Sequence, residues 1–335
     1  MSATLSTNVP FEAPLVDHVS VRVVVDSAYE RFLPAATHPH VTIEHVGKIP
    51  GRQMTTLACE WGLSLHLESR ANGATAQYLL DFGYTPEILG RNFDLLDIDP
   101  GKLNGLILSH AHRDHYGGME GFVDRHRHQM RDDMSFYIGG EGVFRERWTK
   151  GTGDEWVSWG ALDRTALTAQ RVIPVACETP HVMGGAFTTG YIERASFETV
   201  TGGSMVASED HFSEDERRGK LVKDEHPEEH ATCYIVKGRG LVVISSCGHT
   251  GIVNTIRTAM AVTNVDRLHA VIGGFHLGTA RPDYIEHTVD AFEELAPDVV
   301  IPMHCSGANF INALRQRMPD KLVTTNVGSR FTFGE

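Results

Sequence analysis

The stretch from Leu106 to Gly118, LILSHAHRDHYGG, constrains this chain more than any other. An apolar run (Leu106, Ile107, Leu108) gives way to Ser109. Four potential metal ligands then follow within six residues: His110, His112, Asp114 and His115. A strand that ends in a turn can project such side chains into one pocket. Imidazole suits zinc, iron and manganese, and a carboxylate hardens the site. Two groups of ligands in one turn predict two metal positions, His110 and His112 serving one, Asp114 and His115 the other. An isolated histidine is ordinarily a surface or satisfied core residue. A cluster held between an apolar strand pattern and Gly117-Gly118 reads differently.

Around this stretch the chain alternates strand and helix signals. Residues 1–15 read as a loose tail, and Val16 to Asp26 as a strand. Thr55 to Ser69 alternates around Leu63, Leu65 and Leu67, Asn72-Gly73 marks a hairpin turn, and Thr75 to Gly83 returns. Pro86 to Leu96 and Gly117 to His128 have helical character, and Met134 to Gly140 is a strand. Glu141 to Asp163 is unusual: Trp148, Trp156 and Trp159 stand among Gly, Thr and charges, as an interface, a substrate lid or a local core would. Phe187 to Glu193 reads as a strand, and the charged run 201–229 as a long loop. Thr232 to Ser245 is a hairpin. Two units of helix then strand follow, ending at His276 and His304, before a last helix from Ala308 to Met318. Such alternation implies parallel strands in sheets covered by helices. No linker interrupts it, so residues 16–335 are expected to form one domain.

Metal-binding side chains recur at strand tips: His110 and His112, His181, Cys247 and His249, His276, and His304. Open α/β sheets gather their sites at the carboxyl ends of strands. Histidines in charged stretches (His126, His128, His226) read as surface residues. The net charge of −13 argues against a nucleic-acid backbone as substrate. No run approaches the roughly 18 apolar residues of a membrane span. The five cysteines are scattered and odd in number, and the N-terminal residues lack a signal-peptide pattern, so a cytoplasmic protein is expected. No G-x-S-x-G, Walker or dinucleotide fingerprint is present.

HxHxDH resembles the signature of the metallo-β-lactamase-fold superfamily. That resemblance implies an α/β fold, an αββα sandwich of two mixed sheets flanked by helices. It implies further ligands in order: His181, then Cys247 where most two-metal relatives carry a bridging carboxylate, then His304. His249 is an alternative to Cys247, and His276 competes with His304 or serves as a proton donor. Asp81 would hold a histidine tautomer. SSCGHTGIVNTI (Ser245 to Ile256), VIGGFHL (Val271 to Leu277) and PMHCSG (Pro302 to Gly307) are similar to the dihydropterin-(ribofuranosyl)aminobenzene-phosphate synthase-like branch. Upstream, WGLSLHLE, LLDFG and LILSHAHRDHYGG fit in order, so the likeness runs from about residue 55 to 310. Phe82 stands where relatives usually carry Thr, and His230 where they often carry Gln.

The resemblance implies two divalent metal ions, zinc foremost, with manganese or iron as alternatives. The leading expectation is a hydrolase acting on a small molecule: an ester, lactone, phosphoester or activated aromatic carbon. Asp114 would orient the attacking water, and His276, with His249, would protonate the leaving group. The alternatives are a transferase joining a dihydropterin diphosphate to an aminobenzene ribotide, and a non-catalytic metal-binding protein. The tryptophan segment also suggests a homodimer.

Overall fold

The computed structural model describes residues 11–208 and 221–335. Two sheets lie face to face with helices on both outer surfaces. The first has eight strands, ordered Val172–Ala176, Met134–Ile138, Gly105–Leu108, Ala74–Leu80, Ser64–Ala71, His18–Val25, Arg330–Gly334 and Thr42–Glu44. Its first four strands run parallel to one another. The hairpin between Ser64–Ala71 and Ala74–Leu80 turns on Asn72 (φ 52°) and Gly73 (φ 79°), the positive pair that a two-residue turn requires.

The second sheet has seven strands. Its order is Val182–Met183, Ala186–Thr188, Thr232–Val236, Gly240–Ser245, Leu268–Gly273 and Val299–Pro302, with Leu15–Val16 pairing alongside Ile235–Val236. The last three strands of the order are parallel neighbours.

Strand alternation builds the layers. Val19, Val21, Val23, Leu65, Leu67, Phe331 and Phe333 from one sheet meet Tyr234, Val242, Ile244, Ile272 and Ile301 from the other in a buried core. Outside the first sheet, Leu89, Phe93, Phe122 and Val123 of helices Pro86–Leu95 and Met119–His126 cover Leu106, Leu108 and Phe136. Outside the second, helices Ile252–Thr263, Pro282–Leu295 and Ala308–Arg317 supply Ile256, Val289, Phe292 and Phe310. No helix among the described residues is long and apolar enough to cross a membrane.

Several elements depart from the sequence pattern. The strand expected over Thr55–Ser69 begins only at Ser64. At Gly62 a Cβ would lie 2.8 Å from the Tyr84 nitrogen and 2.9 Å from the Asp114 oxygen, so backbones cross there instead of pairing. Ala186–Thr188 is the whole of the strand expected over Phe187–Glu193. Leu15, placed in the tail, is in a strand. The tryptophan segment forms the hairpin Arg147–Lys150 and Trp156–Gly160. It joins Met205–Ala207 and Leu221–Lys223, two strands inside the run read as a loop, in a separate four-stranded sheet. Residues 209–220 of that run lie outside the described residues.

Candidate metal centre

The parallel strand Gly105–Leu108 ends at Ser109, and the chain turns through His110 and His112 into the short helix Arg113–Tyr116. This turn converges its imidazoles: the His110 ring lies 4.2 Å from His115 and 4.8 Å from His112. His226 and His249 stack at 4.3 Å, and both rings stand within 5 Å of His112, at 4.8 and 4.5 Å. Asp114, His115 and His304 form a second lobe, with His304 Nε2 3.4 Å from Asp114 Oδ2 and its ring 5.0 Å from His115. Cys247 joins the two lobes. Its sulfur groups with ring nitrogens of His110 and His249, and again with those of His115 and His304, each set within 4.8 Å. Cys247 and His249 therefore both belong to the cluster; His304 joins it beside His115 and Asp114, and the His276 ring lies 4.1 Å from that of His249. The His276 Nδ1 lies 3.5 Å from the Cys247 sulfur at the pocket side.

Proton inventory fixes which ring atoms are available. The Ser109 hydroxyl donates to Asp81 Oδ2 at 2.8 Å, so it can only accept from His110 Nδ1–H at 3.0 Å. The His115 Nδ1–H donates to Asp81 Oδ2 at 2.7 Å, and the His249 Nδ1–H to the Thr201 carbonyl at 2.9 Å. Each of these three rings is left with Nε2 as a bare lone pair. Those three atoms, with both nitrogens of His226, are buried and have no hydrogen-bond partner among the described residues. A buried polar atom left unpaired costs roughly 1–3 kcal/mol. Several converging on one point fit a cation, and the mixture of imidazole, thiol and carboxylate fits a divalent metal of the zinc class.

Electrostatics agrees with neutral donors in the first lobe. Burial holds His110, His112 and His249 well below the ordinary histidine range and His226 at about 4. Burial opposes the ionisation of Asp114, yet His115 and His304 outweigh it and hold the carboxyl at about 2. Burial likewise opposes the charge on His304, but Cys305 and Asp114 lift it to about 9. Cys305 lies 3.1 Å from Cys247, sulfur to sulfur. Burial disfavours both thiolates, and Cys305, hydrogen-bonded by Cys247 and beside His304 and His276, has the lower pKa of the two.

A buried network carries the four-stranded sheet onto the site. Arg147 donates to Asp224 at 2.6 Å and to Glu228, all three side chains about 2% exposed. Asp224 accepts from the His226 backbone N–H at 3.1 Å. The Ser204 hydroxyl meets His112 Nε2 at 2.9 Å. Glu229 accepts from the backbone N–H groups of His249 and Thr250. Above the donors, a cavity of about 290 Å³ is walled by Trp61, Tyr84 and Trp159, with Arg113, Asp114 and His276 among its polar groups. Trp159 stands edge-on to His112 at 4.8 Å and Trp61 leans on His304 at 4.8 Å.

Several sequence expectations change. His181 stands apart from the cluster: its ring packs on Tyr137 at 5.6 Å, at the edge strand Val182–Met183. His226, read as a surface residue, is 1% exposed and fills the place beside His112. The charged run DEHPEEH resembles solvated chain, but two of its acids, Asp224 and Glu228, serve buried Arg147, a partner 77 residues from Asp224 in sequence. Phe82 belongs to the outer core beside Phe122 and Phe136, not to the pocket. His230 is a brace: its ring lies 3.0 Å from the Leu108 carbonyl and its backbone N–H donates to the Ser109 carbonyl, bolting down the ligand strand. Cys305, missed in sequence, follows the last histidine directly.

Two facing mixed sheets, helices on both outer faces and a donor cluster at one strand rim define a metallo-β-lactamase-fold protein. The Metallo-beta-lactamase superfamily model matches residues 73–129, which include the HxHxDH turn. The chain is 26% identical over 307 residues to the 7,8-dihydropterin-6-methyl-4-(beta-D-ribofuranosyl)-aminobenzene-5'-phosphate synthase of Methanocaldococcus jannaschii, covering 86% of this chain and 99% of that protein. An uncharacterized protein of the same organism is 24% identical over 241 residues, 71% of this chain and 82% of its own length. Among solved structures, a metal-dependent hydrolase of the beta-lactamase superfamily superposes with a TM-score of 0.67 at 22% identity, covering 93% of this chain and 98% of that one. The resemblance carried by HxHxDH and the C-terminal motifs is thus borne out.

Proposed function

We propose that this protein is a metal-dependent hydrolase of small molecules whose donor cluster holds two divalent ions, zinc foremost. The observation that carries this reading is the set of buried, unpartnered imidazole nitrogens directly beneath an open, aromatic-walled cavity. Ions bound there would supply Lewis-acid polarisation and acidify water. His110, His112, His226 and His249 would hold one ion, and Asp114, His115 and His304 the other, with Cys247 between them. His249, whose Nδ1–H is committed to Thr201, serves as a ligand in this scheme and not as a proton donor. Asp114 reaches the cavity with a carboxylate that can orient attacking water. His276, at the cavity wall, would pass a proton to the leaving group. Trp61, Tyr84 and Trp159 offer planar faces and Arg113 a cation, which suits a flat substrate bearing an anionic group.

A second reading is a synthase of the dihydropterin–aminobenzene kind, favoured by the 26% identity to the Methanocaldococcus enzyme across almost its full length. The same walls and Arg113 would stack and anchor such partners. Purified, zinc- or manganese-loaded protein should be tested on aryl esters, lactones and phosphoesters, and separately on a dihydropterin diphosphate with an aminobenzene ribofuranosyl phosphate. Turnover of the first group that is lost in His112→Ala supports the hydrolase. Diphosphate release only with the second pair replaces it with the synthase. Metal binding without turnover in either assay would overturn both in favour of a non-catalytic metal-binding protein.

A further inference from the structure

The second sheet has another rim, at the starting ends of the strands whose finishing ends carry His276 and His304. His269 is the second residue of Leu268–Gly273, and Asp298 immediately precedes Val299–Pro302. The strands are parallel neighbours with Ala270 opposite Val299, so His269 and Asp298 lie side by side. A strand of this length separates them from the metal centre by roughly 20 Å. His40 reaches the same point from the loop before Thr42–Glu44. One nitrogen from each imidazole and an Asp298 oxygen lie within 4.8 Å of one another.

The arrangement has more donors than an ion pair needs. The His269 ring is fully buried and lies 2.8 Å, through Nδ1, from Asp298 Oδ2. Its Nε2 is buried without a partner among the described residues, and so is His40 Nδ1. The two rings meet edge to face at 6.1 Å, and Phe333 backs His269 at 5.5 Å. The His-Pro-His loop is held in place: His38 accepts from the His40 backbone N–H at 3.2 Å, and its Nε2 lies 2.8 Å from the Asp320 carbonyl. Arg267, largely exposed, also reaches Asp298 Oδ2 at 3.3 Å and would swing away on metal entry.

We propose that His40, His269 and Asp298 form a separate site for one divalent transition-metal ion of the zinc class, with water completing its coordination. Two imidazoles and a carboxylate are a common zinc donor set. The ion would clamp the 37–41 loop to the sheet rim, as a structural cross-link remote from the cavity.

The test is ion stoichiometry, which does not depend on turnover. Metal-stripped full-length protein is titrated with zinc by calorimetry, and bound zinc is counted by elemental mass spectrometry. The variants are His40→Ala, Asp298→Asn and His112→Ala. His40 lies in a half-exposed loop, so His40→Ala is expected to melt at the wild-type temperature in the absence of zinc. The expected result is one zinc fewer than wild type in His40→Ala and in Asp298→Asn, and retention of that equivalent in His112→Ala. Added zinc should also raise the wild-type melting temperature by more than that of His40→Ala. Equal stoichiometry in wild type and His40→Ala would overturn the site.

Discussion

Asp81, His276 and His304 adopt left-handed backbone at φ 59°, 47° and 51°, a region that residues other than glycine visit at a cost of roughly 1–3 kcal/mol. Each lies just beyond a strand end, where the chain must swing a side chain toward the cluster. For Asp81 the return is visible, since one carboxylate takes the Ser109 N–H, the Ser109 hydroxyl and the His115 ring. Asp81→Asn keeps the shape but weakens the bond that fixes the His115 tautomer. Metal affinity is expected to fall about 10–100-fold, as for other groups that orient ligating histidines. Zinc titration against a competing chelator checks this, and an unchanged affinity would reduce Asp81 to a turn residue. The buried imidazoles also set a pH response. His226 has a folded-state pKa near 4 against 6.5 for a free histidine, so the unfolded chain binds the extra proton between those values. Metal-free protein should therefore lose stability as pH falls from about 6.5 toward 4, and His226→Gln should lose less. Urea melts at pH 7 and pH 5 measure the difference.

Among the elements, the four-stranded sheet closes one wall of the site and is anchored by the buried Arg147. Arg147→Met strands two buried carboxylates, Asp224 and Glu228. Breaking such a pair costs on the order of 3–5 kcal/mol, which urea denaturation would register. Trp159→Ala, by contrast, removes an aromatic wall from a half-exposed position. It should raise KM while leaving the urea midpoint nearly unchanged, and a kcat loss at constant KM would contradict its role in substrate binding. These elements also show what sequence can and cannot carry. The HxHxDH turn was legible because its donors are neighbours along the chain and follow an apolar strand. The helix-then-strand units that deliver His276 and His304 were legible for the same local reason. His226 was not, because its burial depends on Arg147 from a distant hairpin. His181 misled because, although the strand Val172–Ala176 ends on the same rim, the chain runs on five residues before reaching it and its ring packs on Tyr137 instead.

On the scale of the molecule, the sheets and their helical covers followed from alternation and periodicity. The separate four-stranded sheet did not, since its strands are only three to five residues long and come from two separate stretches of the chain. The first sheet is also closed by a strand from the far end of the sequence: Arg330–Gly334 lies between His18–Val25 and Thr42–Glu44, antiparallel to both. Removing residues from Arg330 onward would bare an apolar strand edge and expose Val19 and Val21 where Phe331 and Phe333 now pack. Such a truncation should aggregate on refolding, as light scattering would show. The same insertion orders events during synthesis. His18–Val25 is made long before the strand that flanks it on one side. The nascent chain must carry an incompletely paired sheet throughout that interval, so chaperone dependence is expected to last until Arg330–Gly334 has emerged.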